Sequence, residues 1–347
     1  MSHNTRRSRV EKLVRLHSDL SRRFLIGRAS PMVCVCALGA CRLGDTSTVT
    51  DTEARGDAIV ATRDGGIGGP DDAGDNQEAA SLEPAICQRP HASGRHDLTL
   101  NVEGTDRRAI IYVPQGYDGT TRLPLVFNLH PSSGAPEGQL TETGMESQAD
   151  TRQFFIVALA GYNNLWNVLR RPDLPDDVDF ANAVLEWTEA NLCTDVARVY
   201  STGFSGGART SSLLGCALPS RFSAIAPVAG IRNDPPCDAT GVNVLALHGT
   251  GDNVNFYAGC PVNDTGCSRN GEWGESVEQA LGDFRVLNGC RAEPSVEVLP
   301  AGTEHHTWSG CKTGATVEFY RVPDGQHTWG LLGAETTTVV LDFLLSH

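Results

Sequence analysis

The sequence predicts an α/β domain from Cys87 onward, a mainly parallel sheet with helices on both faces. Two observations predict it. Short β-rich runs alternate with amphipathic segments throughout this stretch. Most of the runs are also apolar enough to be buried on both sides, as strands covered on both faces must be.

Taken in order, strands are expected over 109–113, 125–129 and 154–159. A helix over 180–191 follows the pair Asp176 and Asp177, whose carboxylates suit the free N–H groups and positive dipole of a helix start and are read as structural. Next come a strand at 199–202, a helix at 206–218, strands at 224–228 and 242–247, a helix at 275–287, a strand at 317–322 and a closing helix at 336–345. No internal repeat interrupts the series.

The residues before Cys87 have a different character. The 347-residue chain has a formal charge of −14, but its first 41 residues carry eight Arg or Lys against two Asp or Glu, which leaves −20 for the rest. A nucleic-acid partner is therefore not expected, since nothing basic remains to neutralise phosphates. Residues 1–40 read as a signal peptide: a basic region with Arg22 and Arg23, then an apolar stretch from Pro31 to Ala40 that is too short to span a membrane. Leu38-Gly39-Ala40-Cys41 resembles a bacterial lipobox, which would make Cys41 the lipid-bearing mature N-terminus. An ordinary cleaved signal is the alternative, and Ser21 to Leu25 also resembles a twin-arginine export signal. Each reading places the protein outside the cytoplasm. Residues 41–86 hold ten acidic and three basic residues up to Pro84 without apolar periodicity, and read as a disordered linker. The domain proper is 87–347, and a monomer is expected.

The chemistry centres on Gly203-Phe204-Ser205-Gly206-Gly207. A strand precedes it and a helix follows, the context of a strained turn that exposes a serine nucleophile between two glycines. A serine hydroxyl needs a histidine base, itself oriented by a carboxylate. Asp252 follows the strand at 242–247 through His248-Gly249-Thr250-Gly251, and His327 lies between the strand at 317–322 and the last helix. Gly206 N–H would be one oxyanion donor. The other should lie after His130, where Pro131 has no N–H, so Ser132 is nominated and His130 is expected to brace that loop. His248 reads as a structural loop residue. His305 and His306 lack zinc-ligand spacing, and neither a metal nor a cofactor is called for.

These residues, with Asn128-Leu129-His130, Trp166-Asn167, Asp176 to Phe180, Arg198 to Gly207, His248 to Asp252 and Gly325 to Trp329, resemble the polyhydroxybutyrate depolymerase and feruloyl esterase branch of carbohydrate esterase family one. The resemblance runs from about Arg108 to the C-terminus. It implies an α/β-hydrolase fold and a secreted carboxylic ester hydrolase with the triad Ser205, His327 and Asp252. Pro131 in the oxyanion loop and Gly330-Leu331 after Trp329 depart from the family pattern. The resemblance also implies a Cys290–Cys311 disulfide.

Of the other cysteines from Cys87 onward, Cys260 and Cys267 could close a surface loop. Cys193 and Cys216 both fall at the bottom of the sheet and are expected to pair, which leaves Cys87 with Cys237. The short segment from Gly230 to Val242 has no room for a large lid, so an open cleft is expected, suited to an ester that is bulky or attached to a polysaccharide or polyester. Trp166 and Trp329 are the candidate substrate-binding rings. With no polymer-binding domain expected after His347, feruloyl, acetyl-xylan or other short-acyl esters are favoured. A short-chain polyhydroxyalkanoate depolymerase is the alternative, and a non-catalytic surface-binding lipoprotein is the alternative of another class.

Overall fold

The computed structural model describes residues 87–233, 236–260 and 274–347. The expected signal peptide, lipid-bearing Cys41 and linker 41–86 lie outside the described residues, as does Cys267.

The strands are β1 (Gly94–Val102), β2 (Thr105–Val113), β3 (Leu123–Leu129), β4 (Phe155–Leu159), β5 (Thr194–Phe204), β6 (Ala224–Val228), β7 (Asn243–Gly249), β8 (Ser295–Val298), β9 (Glu304–Trp308) and β10 (Val317–Val322). They form one ten-stranded sheet in the order β1-β2-β4-β3-β5-β6-β7-β10-β9-β8. From β4 to β10 all neighbours are parallel. Antiparallel pairs extend the sheet at both edges. The strands read from sequence are the parallel ones and the antiparallel β2. β3, β4 and β6 are buried at every position because helices cover both their faces.

Alternate side chains of each strand feed opposite cores. Ile110, Tyr112, Val126, Ile156 and Ala158 pack with helices α1 (Pro136–Thr143), α2 (Met145–Arg152) and α6 (Thr336–Leu345). Ala109, Ile111, Leu125, Phe127 and Val157 face the other way, onto α3 (Asp177–Asn191) and Leu213 and Leu214 of α4 (Gly206–Ala217). Farther along, Ile225, Val244 and Ala246 pack on α5 (Val277–Leu287). Each fully buried Leu, Val or Phe in these layers is worth about 1.5–3 kcal/mol. The β6–β7 connection contains no helix among the described residues, in keeping with the absence of a large lid.

The two aspartates before α3 divide their work. Asp176 caps the helix, accepting from Val178 N–H at 2.7 Å. Asp177, expected to do the same, instead accepts from Arg107 at 2.6 Å, with the two side chains 1% and 2% exposed. Its other oxygen accepts from Asn167 N–H at 2.6 Å. This buried ion pair ties β2 to α3 and to the loop that carries Trp166.

Two disulfide expectations are corrected. Cys193 pairs with Cys87 and Cys216 pairs with Cys237, not Cys193 with Cys216 and Cys87 with Cys237. Cys193 and Cys216 do sit at the lower end of their elements, but depth does not set lateral position. Cys193 lies next to Leu192 in the α3 layer, beside the Gly119 carbonyl, whereas Cys216 packs into the α5 layer with Cys237. Cys290 pairs with Cys311, as the resemblance implied.

Candidate active site

Strand β5 ends at Phe204 and α4 begins at Gly206, so the whole reversal falls on Ser205, with φ 56° and ψ −115°. A non-glycine residue holds such a backbone only where its surroundings impose it. Here Ser205 N–H donates to Val228 O at 3.0 Å, and its own carbonyl accepts Arg209 N–H at 3.1 Å. The flanking glycines are required by close approach: a Cβ on Gly203 would lie 2.6 Å from the Gly207 carbonyl carbon, and one on Gly207 would strike the Leu129 backbone. The strained turn is thus wedged between β3 and its own helix.

Asp252 and His327 are brought together by the ends of two neighbouring strands. The loop after β7 and the turn after β10 are joined by Thr250 N–H to Val322 O at 2.9 Å, Gly251 N–H to Gly325 O at 3.0 Å and Asp324 N–H to Thr250 Oγ1 at 2.9 Å. Within this frame His327 Nδ1 donates to Asp252 Oδ2 at 2.7 Å. Asp252 Oδ1 accepts the N–H groups of Val254 at 2.9 Å and Asn255 at 2.8 Å. Burial alone would push the Asp252 carboxyl up, but the bonds from His327 and Val254 outweigh it and hold the group below its ordinary range. It is therefore an anion at neutral pH and accepts the hydrogen on His327 Nδ1. The His327 ring lies over Phe204, with centroids 4.8 Å apart, which places it beside the elbow.

The loop after β3 approaches Ser205 from the other side. A Cβ on Gly206 would meet Ser132 Oγ and lie 2.9 Å from Ser132 N, so the two backbones nearly touch. Gly206 N–H, in the first turn of α4, has no intrahelical acceptor. His130 braces this loop as expected. Its Nδ1 donates to Pro131 O at 2.7 Å and its Nε2 accepts Gly161 N–H at 3.0 Å. Burial pushes its pKa down, and with one nitrogen donating and the other accepting the ring is neutral. Ser133 N–H donates to Asn164 O at 2.7 Å, a second tie to the loop after β4.

The tryptophans differ from expectation. Trp166 is at the site but 8% exposed, with Nε1 donating to His130 O at 2.8 Å. Trp329 is 3% exposed, packed in the α6 core, with Nε1 donating to Thr337 Oγ1 at 3.0 Å. Both rings act from within the protein rather than as open stacking surfaces. The exposed apolar groups near the site are Tyr162 and Leu165, on the turn before Trp166, and Val254, next to the acid.

His248, read as a structural loop residue, lies instead in β7, and Asn255 gains a part that the sequence did not suggest. His248 Nε2 donates to Asn255 O at 2.8 Å and lies 3.4 Å from Asp252 Oδ2. Asn255 also lies 3.5 Å from Ser205 Oγ through Nδ2. Spacing after Asp252 could suggest that Asn255 belongs to the acid loop, but no local signal reports a contact with Ser205. Among the described residues no group of His, Cys, Asp or Glu is arranged to hold a metal ion. His305 and His306 instead meet Glu318 at 2.8 Å and Glu304 at 2.9 Å.

No family model matches the chain. A probable feruloyl esterase C of Aspergillus terreus is 30% identical over 250 residues, covering 64% of this chain and 86% of that protein. Another, of Aspergillus clavatus, is 30% identical over 266 residues, covering 73% and 89%. Among solved structures, the acetyl xylan esterase from Aspergillus awamori matches with a TM-score of 0.54 at 14% identity, over 74% of this chain and 100% of that one, a likeness of fold. By its identity to these relatives and the share of their length it covers, the chain belongs to the feruloyl esterase family of the α/β-hydrolases, and it is a serine carboxylic ester hydrolase.

Proposed function

We propose that Ser205, His327 and Asp252 are the catalytic triad and that the enzyme cleaves feruloyl, acetyl-xylan or other short-acyl esters through an acyl-enzyme. The observation that carries this reading is the 2.7 Å bond from His327 to the buried Asp252 carboxylate, beside the strained elbow at Ser205. Ser205 Oγ attacks the ester carbonyl carbon as its proton passes to His327 Nε2. The carbonyl oxygen becomes an oxyanion in front of the N–H groups of Gly206 and Ser132, a pair of donors each worth about 3 kcal/mol of barrier. Collapse expels the alcohol, which takes the proton from His327, and leaves the acyl group on Ser205. Water, deprotonated by His327, then releases the acid and restores the serine. Asp252 stabilises the imidazolium at both stages.

The names of the relatives favour a feruloyl acyl group, and the exposed Tyr162 and Leu165 offer an apolar rim for an aromatic ring beside the oxyanion loop. The test is hydrolysis of methyl ferulate, acetylated xylan and p-nitrophenyl acetate by the full chain and by Ser205→Ala. The parent should turn over at least one of them, and the variant should lose about 10³-fold or more in kcat. Equal rates in both proteins refute the triad. Preferential cleavage of 3-hydroxybutyrate oligomers would move the substrate to polyhydroxyalkanoates with the same machinery.

We further propose that the enzyme works outside the cytoplasm, as a catalytic domain (87–347) carried behind a lipid-bearing Cys41 and the acidic linker. The basic-apolar-lipobox order of residues 1–41 supports this, and the disulfides at Cys87, Cys216 and Cys290 suit an oxidising compartment. Mass spectrometry of the membrane fraction should find a diacylated peptide beginning at Cys41.

A further inference from the structure

We infer that Asn255 is a positioning residue for the nucleophile: its carboxamide orients the Ser205 hydroxyl while its backbone holds the Asp252 carboxylate. The inference rests on the triad reading above.

Asn255 is 2% exposed and joins three parts of the site. Its N–H donates to Asp252 Oδ1 at 2.8 Å, and its carbonyl accepts His248 Nε2 at 2.8 Å. Its Nδ2 donates to Ala229 O at 2.7 Å and lies 3.5 Å from Ser205 Oγ. The Ala229 carbonyl can only accept, so it decides which end of the amide carries hydrogens. That carbonyl is itself fixed. Ala229 follows β6 with φ 52°, and its N–H donates to Leu247 O at 2.8 Å. A planar amide nitrogen has two hydrogens. With one committed to Ala229, the other is available to Ser205 Oγ.

A hydroxyl oxygen that accepts a bond must send its own hydrogen elsewhere. The Asn255 amide therefore favours the orientation in which the Ser205 proton is directed away from it and toward the histidine base. At 3.5 Å the contact is at the outer limit of a hydrogen bond. It strengthens as negative charge builds on Oγ during proton transfer, because donors to charged oxygens bind more tightly than donors to neutral ones. The benefit thus falls on the rate of acylation and not on substrate affinity. Substituting the side chain leaves the backbone bonds to Asp252 and His248 in place, so the two functions of the residue can be separated.

The test compares the full-length parent with Asn255→Leu, a near-isostere without donors, and Asn255→Ala, which retains the backbone and relieves any packing conflict. Four quantities are read: the rate of Ser205 phosphonylation by a small fluorophosphonate, kcat and KM on p-nitrophenyl acetate, and the melting temperature. The expected result is a fall of about tenfold in phosphonylation rate and in kcat/KM, in whichever variants melt as folded proteins. A folded variant that is phosphonylated at the parental rate overturns the inference. If neither variant folds, Asn255 is a structural residue and the inference is likewise overturned. If the parent itself is not labelled on Ser205, the triad reading fails first. Parental labelling with no effect in the variants removes the Asn255 role alone.

Discussion

The Trp166 indole N–H donates to the His130 carbonyl oxygen at 2.8 Å, and the two rings lie with centroids 4.7 Å apart. The loop after β4 is thereby bolted to the loop that brings Ser132 against Gly206. Trp166→Phe keeps a ring in the cavity and removes the donor. We expect kcat to fall about tenfold with little change in KM, because a loosened oxyanion loop costs transition-state stabilisation before it costs binding. Steady-state kinetics on p-nitrophenyl acetate would show this, and an unchanged kcat would mean that the loop holds itself.

Gly206→Ala tests the proposed oxyanion pocket directly. The added methyl would lie 2.9 Å from Ser132 N, a backbone atom that cannot rotate away. The two donors must separate, so kcat should drop by about 10² or more while the protein remains folded. Retention of parental activity in a folded variant would place the second donor elsewhere.

His130 and His248 are buried and their imidazoles are held neutral, with desolvation as the main cause in both. The folded state therefore takes up their protons below the usual imidazole value of 6.5, while the unfolded chain takes them up near it. Their contribution to stability is complete above that value and is lost as the pH falls below it. The slope approaches about 1.4 kcal/mol per pH unit for each histidine. Asp252, with its pKa lowered, adds a further loss only below its unfolded value of 3.8. Urea unfolding at pH 7.5, 6 and 5 should reveal the first decline, and a flat profile across that range contradicts it.

The Arg107–Asp177 pair also carries Phe180, whose ring lies 4.4 Å beneath the guanidinium. Asp177→Ala strands a buried cation and leaves Asn167 N–H without its acceptor, at a cost of about 3–5 kcal/mol. The double substitution Arg107→Met with Asp177→Leu should cost less than the single one, since no buried charge is left unpaired. Denaturant melts of the variants decide the order.

Leu165 is 52% exposed on the turn before Trp166. If it borders the acyl group, Leu165→Ala should raise KM for methyl ferulate severalfold and leave KM for p-nitrophenyl acetate nearly unchanged, because only the aromatic acid reaches that rim. An equal effect on both esters would point to a general loosening of the loop.

Sequence alone pointed to the parallel centre of the sheet and the turn at Ser205, and it named Asp252 and His327, which the fold brings into a 2.7 Å hydrogen bond. Each of these is a local statement. A strand buried on both faces is apolar on both faces with few exceptions, and a wedged turn needs glycines at 203 and 207. An acid or base at a strand end appears as a polar, Gly-containing loop after an apolar run. Edge strands carry no such mark. β1, β8 and β9 are exposed or half-buried, and their state is set by the neighbours they pair with.

What only the tertiary structure decided is lateral position. The disulfide partners of Cys193 and Cys216 depend on which helix layer covers which strand. Asp177 left the helix cap because β2 delivers Arg107 beneath it. Trp166 and Trp329 were named as surfaces and became internal braces, because their indole N–H groups found buried acceptors. Asn255 reaches Ser205 only because β5, β6 and β7 are adjacent, and adjacency between segments distant in sequence is a property of the packed sheet.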